Sequence, residues 1–460
     1  NEQVPVNSRA ETFADTIVAM ATPAGRGGVG IIRVSGPATR AIAVATTGML
    51  PTPRLATLTT FVDETQVVLD EGIALFFPGP HSFTGEDVLE LQGHGGPVVM
   101  DMLLNRVVRA GARIAKPGEF SQRAFLNDKI DLSQAEAIAD LIDSGSQCAA
   151  RGAINSLQGH FSRKIHELDE RVVRLRIHVE AAIDFPEEEV DFLADSLIHQ
   201  ALDEIDRTLV ETLAQAQQGA ILREGVTLVF AGRPNAGKSS LMNYFSGRET
   251  SIVTSVAGTT RDVVQEDINL DGVPLRLVDT AGLRDSEDIV EREGVRRARL
   301  AIGHADIILL MVDYSEHVRD WREQADILLV ETGRRSGTIV VLNKTDQQAL
   351  QGSLEFTVPV QGISVKSGAG LAELKSLIQQ AIGFDSQTEG NFIARSRHLD
   401  ALHRAHSAVL AGREQLVVAQ AGELLAEELR IAHEALNEIT GEFTSDDLLG
   451  QIFASFCIGK

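Results

Sequence analysis

A phosphate-binding loop is the clearest chemical feature of this 460-residue sequence. The residues Gly232-Arg-Pro-Asn-Ala-Gly-Lys-Ser239 match G-x-x-x-x-G-K-[ST] and directly follow an apolar run, 226–231. Glycines let backbone amides curl around an anion, the Lys238 ammonium can reach the β- and γ-phosphates, and the Ser239 hydroxyl offers a magnesium ligand. A strand before the loop and a helix after it favour a nucleoside triphosphate site with Mg²⁺ over a plain glycine turn.

Three more motifs follow strand-like runs and complete the predicted site. Asn343-Lys-Thr-Asp346 places a carboxylate, Asp346, that can accept both N1–H and N2–H₂ of guanine, a donor pair that adenine lacks. Ser364-Val-Lys366 fits a loop that seats the guanine edge, and Asp279-Thr-Ala-Gly282 ends a further strand. Parallel sheets bind ligands at the carboxyl ends of their strands, so the motifs predict a GTP site. The residues expected to contact GTP are Asn235, Ala236, Gly237, Lys238, Ser239, Ser240, Thr254, Ser255, Val256, Ala257, Gly258, Thr259, Thr260, Asp279, Thr280, Ala281, Gly282, Asn343, Lys344, Asp346, Ser364, Val365 and Lys366.

The four motifs together resemble a Ras-type GTPase domain, with 254–262 as switch I and Thr260 as a second magnesium ligand. Ras-like enzymes place a glutamine after D-x-x-G to orient the attacking water, but here that residue is Leu283. Neutral oxygens of the switch I loop, together with Asn235, can hold a monovalent cation against the β- and γ-phosphates in place of an arginine finger. The alternative for Asn235 is a simple turn former.

The elements that must position these motifs alternate apolar strands with helices. Between 226 and about 384, the runs 226–231, 275–279, 307–312 and 338–342 predict a doubly wound parallel sheet that is buried on both faces. Residues 1 to about 128 differ, because short β-rich runs alternate there with Gly/Pro punctuation. The runs of this part are 16–20, 30–34 and 72–77, and a helical run over 97–110 stops at Gly111.

Amphipathic runs on both sides of the predicted parallel sheet indicate bundle helices. Ser133-Gln-Ala-Glu136 is predicted to be a capping box. Three apolar stripes follow helical spacing: Ile154, Leu157, Phe161, Ile165, Leu168, Val172, Leu175, Val179 and Ala182; then Ile198, Leu202, Ile205, Leu209 and Leu213; then Leu424, Leu425, Leu429, Ala432 and Leu436. The predicted fold is therefore multidomain: an N-terminal α+β domain (1–128), a discontinuous all-α domain (129–222 and 386–460), and an inserted Ras-like P-loop α/β domain (223–385).

Composition narrows the function classes. Lys and Arg number 42 against 65 Asp and Glu, so the net charge of −23 disfavours a whole-chain electrostatic grip on nucleic acid. The hydrophobic fraction of 43% and charged fraction of 23% are those of a folded globular protein. Two cysteines, Cys148 and Cys457, suggest a reducing compartment. Without a membrane span, membrane anchor or secretory pattern, we expect a cytoplasmic protein.

Motifs along nearly the whole chain resemble the bacterial tRNA-modification GTPase family MnmE (TrmE). They are 21–33 (ATPAGRGGVGIIR), 82–90 (SFTGEDVLE), 93–96 (GHGG), 117–120 (PGEF), 123–129 (RAFLNDK), the phosphate loop, 257–262 (AGTTRD) and the terminal 456–460 (FCIGK). The last motif is highly specific.

The resemblance implies an N-terminal domain that dimerises and binds 5-formyl-tetrahydrofolate or a related folate. It implies potassium-dependent GTP hydrolysis with G domains that meet across a homodimer. It further implies a complex with the FAD protein MnmG (GidA) and, through that complex, tRNA. The product would be a carboxymethylaminomethyl or aminomethyl group at C5 of the wobble uridine.

The same resemblance assigns residues to roles. Folate contacts fall on Arg33, Glu90, Lys129 and Lys460; potassium ligands on Asn235, Thr254, Val256 and Thr259; magnesium ligands on Ser239 and Thr260; and the water-orienting acid on Glu291. Catalysis is thereby assigned to Glu291, Asn235 and Lys238. Ser255 replaces the family's usual Asp, and we expect little effect if neighbouring oxygens hold the potassium.

Several alternatives stay open at the level of sequence. Arg33, Glu90 and Lys129 could form surface salt bridges, and Glu291 could be an ordinary exposed acid among Glu287, Asp288 and Glu293. Cys457 is a candidate reactive thiol or a small buried hydrophobe. The G domain alone also suits a ribosome-assembly or cell-cycle GTPase of the Era or Der type, but the flanking domain and the Cys-Ile-Gly-Lys end favour tRNA modification.

Overall fold

The computed structural model describes residues 14–184, 196–248, 264–279, 300–315, 321–351, 353–384, 392–419, 421–442, 446–454, 456 and 459. These residues divide between two compact units. Unit 1 comprises 1–139, 157–205 and 407–460, and unit 2 comprises 140–156 and 206–406. Among the helices of these described stretches, none has the length and apolar character needed to cross a membrane.

The N-terminal part of unit 1 is built on a mixed six-stranded sheet. Its strands are β1 (Ile17–Met20), β2 (Gly30–Ser35), β3 (Thr57–Val62), β4 (Val68–Phe77), β5 (Val88–Gly93) and β6 (Arg113–Ile114), in the order β3-β4-β5-β2-β1-β6. The β1–β6 pair is parallel, and the other pairs are antiparallel. The predicted α+β class is confirmed, and the three predicted strands correspond to β1, β2 and β4.

Three helices accompany this sheet: α1 (Thr39–Thr47), α2 (Pro97–Arg109) and α3 (Glu119–Leu126). Ile42 of α1 and Met100 and Leu103 of α2 pack on Ile32 and Leu91 of the sheet, which closes one hydrophobic core. The helix predicted over 97–110 is confirmed as α2, and Gly111 has a φ of +116° just beyond it. Alternate residues of β2, such as Arg33, are excluded from that core and only partly buried.

The remaining helices of the N- and C-terminal parts are α4 (Leu132–Ile142), α5 (Gln147–Leu157), α6 (His160–Asp184), α7 (Ser196–Glu224), α11 (Ser396–Glu414), a π-helical turn (Gln415–Ala419), α12 (Gly422–Thr440) and α13 (Asp446–Ala454). Within unit 1, α6 and α12 pack along each other. The Asp169 carboxylate of α6 accepts a hydrogen bond from the His433 imidazole of α12 at 2.7 Å. Helices from before and after the segment 226–362 therefore pack together, as the predicted discontinuous helical domain requires.

The predicted capping box is displaced by two residues. Asp131 Oδ1 accepts the Gln134 backbone N–H at 2.9 Å, and Gln134 Oε1 accepts the Asp131 N–H at 3.0 Å, so these two residues form the reciprocal cap. Ser133 lies inside the first turn and pairs with Ser162 at 2.9 Å. The shift arises because Asp131 is itself a strong N-cap residue one position before α4 begins.

Two predicted apolar stripes contain exposed members. Ile154 is 40% exposed and Leu424 is 48% exposed, whereas most other stripe residues are buried. The long stripe predicted from 154 to 182 belongs to two helices, because Gly159 (φ +78°) lies between α5 and α6. A glycine in the left-handed region ends a helix, and the next helix begins with its own axis and orientation. One apolar stripe therefore cannot continue across it. The stripe 198–213 is buried throughout, as predicted.

Unit 2 contains the second sheet. Its strands are β7 (Val226–Gly232), β8 (Val264–Leu270), β9 (Val273–Asp279), β10 (Ile307–Asp313), β11 (Thr338–Asn343) and β12 (Val360–Gly362), in the order β12-β11-β10-β7-β9-β8. All pairs are parallel except β8–β9 at one edge. Helices α8 (Lys238–Arg248) and α10 (Leu371–Ile382) pack on one face, and α9 (Trp321–Thr332) packs on the other. The doubly wound prediction is confirmed, with an antiparallel edge strand added.

Candidate functional site

The phosphate loop connects the end of β7 to the start of α8 and requires glycine at two positions. Gly232 has a φ of +140°, and a Cβ there would lie 2.3 Å from the Met311 carbonyl oxygen. Gly237 has a φ of +97°, and a Cβ there would lie 2.1 Å from Asn343 Nδ2. Any side chain would therefore collide with the neighbouring strand or with the base-recognition motif, which explains the two glycines physically.

Lys238 opens α8 and folds back over the loop. Its ammonium donates to the carbonyl oxygens of Gly232 at 3.0 Å and Arg233 at 3.1 Å, and only 7% of the residue is exposed. Burial lowers the pKa of Lys238 from its ordinary value, although the negative charge of Asp279 opposes that shift. Phosphate oxygens would offer this partly desolvated cation stronger acceptors than two carbonyl groups do.

Ser239 and Asp279 form an oxygen-rich corner beside the lysine. Ser239 Oγ donates to Asp279 Oδ2 at 2.7 Å, while Asp279 Oδ1 is buried and has no hydrogen-bond partner among the described residues. An orphaned carboxylate oxygen next to a hydroxyl suits a hard cation with oxygen ligands. These residues therefore fit Mg²⁺, with Ser239 as a ligand and Asp279 as a support through water.

Asn343 joins the phosphate loop to the base-recognition loop. It is 3% exposed, its Nδ2 donates to the Ala236 carbonyl at 2.9 Å, and its Oδ1 accepts the Val365 N–H at 3.4 Å. Asp346 Oδ1 accepts the Ser364 hydroxyl at 2.7 Å, which orients the carboxylate predicted to bind guanine. The structure thus brings together motifs that lie more than a hundred residues apart in sequence.

Most of the described motif residues line one cavity of about 560 Å³, whereas Ala236, Asp279 and Ser364 lie outside its lining. Its lining includes Asn235, Gly237, Lys238, Ser239, Ser240, Asn343, Lys344, Asp346, Val365 and Lys366, all of which the sequence predicts, and Gln347, which it does not. Asn235 has a φ of +62°, a conformation that asparagine tolerates better than most residues. Asn235 can therefore serve as a turn former and also line the cavity.

Asp313 is a site residue that the sequence reasoning missed. Its carboxylate pairs with the Lys344 ammonium and accepts hydrogen bonds from Ser315. Burial alone would raise the pKa of Asp313, but the hydrogen bonds from Lys344 and Ser315 outweigh it and hold the pKa below its ordinary value. The signal in the sequence was its place at the carboxyl end of a strand, β10. Gly232, Asp279 and Asn343 likewise lie at the carboxyl ends of their own strands.

Several predicted residues lie outside the described residues, so their roles stay predictions. They are Thr254, Ser255, Val256, Ala257, Gly258, Thr259, Thr260, Thr280, Ala281, Gly282, Leu283, Glu291, Cys457 and Lys460.

A second cluster lies on the N-terminal sheet, where β2 and β5 pair Arg33 with Glu90 in register. Arg33 Nε and Nη2 lie 3.0 and 2.9 Å from Glu90 Oε1, and Arg33 Nη1 donates to the Gly459 carbonyl at 3.2 Å. Lys129 Nζ donates to the Pro80 carbonyl at 3.0 Å. Arg33 and Glu90 do form the salt bridge considered as an alternative, and the C-terminal segment reaches this pair.

Comparison with known proteins identifies the family of this chain. A model described as "GTP-binding protein TrmE N-terminus" matches residues 16–129, and one described as "MnmE helical domain" matches residues 132–457. The chain belongs to the MnmE family of tRNA modification GTPases. A relative named tRNA modification GTPase MnmE from Coxiella burnetii (strain RSA 493 / Nine Mile phase I) is 54% identical over 451 residues, covering 97% of this chain and 99% of the relative.

Two more MnmE relatives show the same full-length correspondence. The protein from Stutzerimonas stutzeri (strain A1501) is 57% identical over 454 residues, with 97% of this chain and 99% of the relative covered. The protein from Proteus mirabilis (strain HI4320) is 56% identical over 452 residues, with the same coverage. The MnmE assignment therefore extends over the flanking domains as well as the GTPase domain.

Proposed function

We propose that this protein hydrolyses GTP in a potassium-dependent reaction as part of tRNA modification. With the FAD protein MnmG (GidA) it would add a carboxymethylaminomethyl or aminomethyl group at C5 of the wobble uridine (U34) of certain tRNAs. A tetrahydrofolate would supply the one-carbon unit. The observation that carries the proposal is the match of both family models and of full-length MnmE relatives to this chain.

The geometry of the nucleotide site supports the hydrolytic part of the proposal. Asp346, oriented by Ser364, would hold guanine, while Asn343 keeps the base loop and the phosphate loop in fixed relation. Lys238 would stabilise the negative charge that develops between the β- and γ-phosphates. Bound Mg²⁺ would neutralise phosphate charge beside Ser239.

Potassium and the water-orienting acid complete the proposed chemistry. Asn235 lines the nucleotide cavity and carries a neutral amide oxygen, the donor type that suits a monovalent cation. We assign the other potassium ligands to Thr254, Val256 and Thr259, with water orientation assigned to Glu291. Leu283 has no polar atom for that task, which supports an acid from elsewhere in the chain.

The Arg33–Glu90 cluster is the proposed folate site. The Glu90 carboxylate can accept hydrogen bonds from N–H groups of a pterin, and Arg33, Lys129 and Lys460 can meet the anionic parts of the same molecule. The Gly459 carbonyl accepts a hydrogen bond from Arg33. Gly459 directly precedes Lys460 in the chain, which supports the inclusion of Lys460 in this site. We further propose a homodimer in which G domains meet during hydrolysis.

Two measurements test the function. Nucleosides from tRNA of wild-type cells and of cells that lack the protein are compared by liquid chromatography and mass spectrometry. In the cells that lack the protein, the wobble uridines are expected to lose the C5 substituent. The purified protein is assayed for folate that co-purifies with it. If the wobble uridines are the same in the two kinds of cell and no folate co-purifies, the result would instead favour a regulatory GTPase of the Era or Der type.

A further inference from the structure

The aromatic ring of Phe83 lies beside the Arg33–Glu90 pair. The guanidinium carbon of Arg33 lies 6.0 Å from the centroid of the Phe83 ring, and 36% of Phe83 is exposed. Phenylalanine normally buries more of its surface than this, so the exposed part of the ring is available to a ligand that approaches the ion pair.

Glu90 retains hydrogen-bonding capacity at the same place. Both contacts with Arg33 use Oε1, whereas within the described part of the chain Oε2 has a single long contact of 3.4 Å, with Gln92 Nε2. A carboxylate oxygen can accept more than one hydrogen bond. A ligand that presents N–H groups along the edge of a flat ring could therefore bond Glu90 while its face meets Phe83.

Hydrogen bonds to Arg123 and Ser35 hold the segment that carries Phe83. Glu86 accepts hydrogen bonds from the fully buried Arg123 at 3.1 and 3.2 Å and from the Ser35 hydroxyl at 2.6 Å. Ser35 also pairs with Thr84 at 2.7 Å, and it lies two residues after Arg33 on β2. The backbone on one side of the ring is thus tied to the strand that supplies Arg33.

The other side of the segment is fixed as well. Asn127 Nδ2 donates to the Thr84 carbonyl at 2.7 Å, and Lys129 donates to the Pro80 carbonyl at 3.0 Å. Phe83 therefore lies on a segment that contacts both Arg33 and Lys129, two of the proposed folate contacts. Such anchoring holds the ring in place before binding, which reduces the entropy lost when a ligand stacks on it.

We propose that Phe83 stacks on the bicyclic nitrogen heterocycle of the folate, while Glu90 accepts hydrogen bonds from the N–H groups of that ring system. This assignment rests on the folate site proposed above. The pyrimidine ring of the pterin presents adjacent N–H donors along one edge of a flat ring, whereas the benzoyl ring bears a single N–H, so the pterin is the part that Glu90 and Phe83 can hold together.

The test uses the full-length protein, titrated calorimetrically with 5-formyl-tetrahydrofolate. Phe83→Leu keeps an apolar side chain but removes the ring, and it is expected to weaken folate binding roughly tenfold. Phe83→Tyr keeps the ring and serves as the matched control, with binding close to that of the wild type. GDP affinity, measured on the same samples, is expected to be unchanged and shows that each variant is folded.

Fragments of the ligand locate the contact. Phe83→Leu is expected to lower the affinity for pterin-6-carboxylate and leave the affinity for p-aminobenzoylglutamate unchanged. Wild-type affinity in Phe83→Leu, or equal losses in the Leu and Tyr variants, would overturn the stacking role and leave the folate site standing. Absence of folate binding by the wild-type protein would overturn the folate proposal and the Phe83 assignment with it.

Discussion

Replacement of Asp346 by asparagine is expected to change which base the site accepts. In the wild-type protein Asp346 Oδ1 accepts the Ser364 hydroxyl at 2.7 Å, so the carboxylate has a defined orientation toward the cavity. The amide of Asp346→Asn would direct an N–H₂ donor at the donor edge of guanine. Xanthine has a carbonyl oxygen where guanine has its 2-amino group, so the variant amide would find an acceptor there.

The size of the effect follows from the hydrogen bonds that the substitution removes. A hydrogen bond to a charged group contributes about 1.5–3 kcal/mol, and the variant would lose one and leave a guanine N–H poorly paired. A total of about 2–4 kcal/mol corresponds to a loss of GDP affinity between about 30-fold and several hundred-fold. The phosphate contacts of Lys238 and the loop amides are untouched, so XDP affinity should rise rather than fall.

Competition for a fluorescent guanine nucleotide by GDP, XDP and ADP measures this directly. Ser364→Ala is the matched control, because it removes the hydroxyl that orients Asp346 but keeps the carboxylate. That variant should weaken GDP by roughly tenfold or less and still prefer GDP to XDP. If Asp346→Asn keeps the wild-type preference for GDP over XDP, the assignment of Asp346 to base recognition is wrong.

The remaining predictions concern catalysis and stability. Glu291→Ala should lower single-turnover GTP hydrolysis by roughly 10²-fold with nearly unchanged nucleotide affinity, and normal turnover would refute the role. GTPase activity should rise steeply in KCl and stay low in NaCl at equal ionic strength, and Asn235→Ala should lose that stimulation; equal rates in both salts would point to an arginine finger from a partner. Arg123→Gln should lower the free energy of unfolding in urea by about 3–5 kcal/mol, since Glu86 and Glu119 lose a buried cation, and a loss below about 1 kcal/mol would contradict this. Burial would raise the pKa of Glu119, but hydrogen bonds from Arg113, the Lys116 backbone and Arg123 lower it overall, so the stability from this group should be present above its ordinary pKa and fade as the pH falls through the lowered value, as thermal melts across the acid range would show.

Local backbone chemistry explains what the sequence alone determined. The phosphate loop needs glycine where a Cβ would collide and a lysine at the start of a helix, so its pattern is visible in eight consecutive residues. The inner strands β7, β10 and β11 of the second sheet are buried on both faces, and each therefore appears as an apolar run in the sequence. The MnmE resemblance was also visible in the sequence, because short runs of consecutive residues over nearly the whole chain carry it.

Tertiary structure decided which distant side chains meet. Strand order places Asp313 beside Lys344 and lets Asn343 bridge two loops, and neither pairing follows from spacing along the chain. The structure also shows where the predicted helical stripes break: Gly159 divides one stripe between two helices, and Leu424 is exposed although Leu425 and Leu429 of the same stripe are buried.

The N-terminal cluster shows the same division between sequence and fold. The motif around Phe83 is visible in the sequence, but its place beside Arg33 depends on strand pairing and on the buried Arg123. A buried ion network forms only where several elements supply its partners at once. The spacing of residues along the chain does not show which elements will meet in this way.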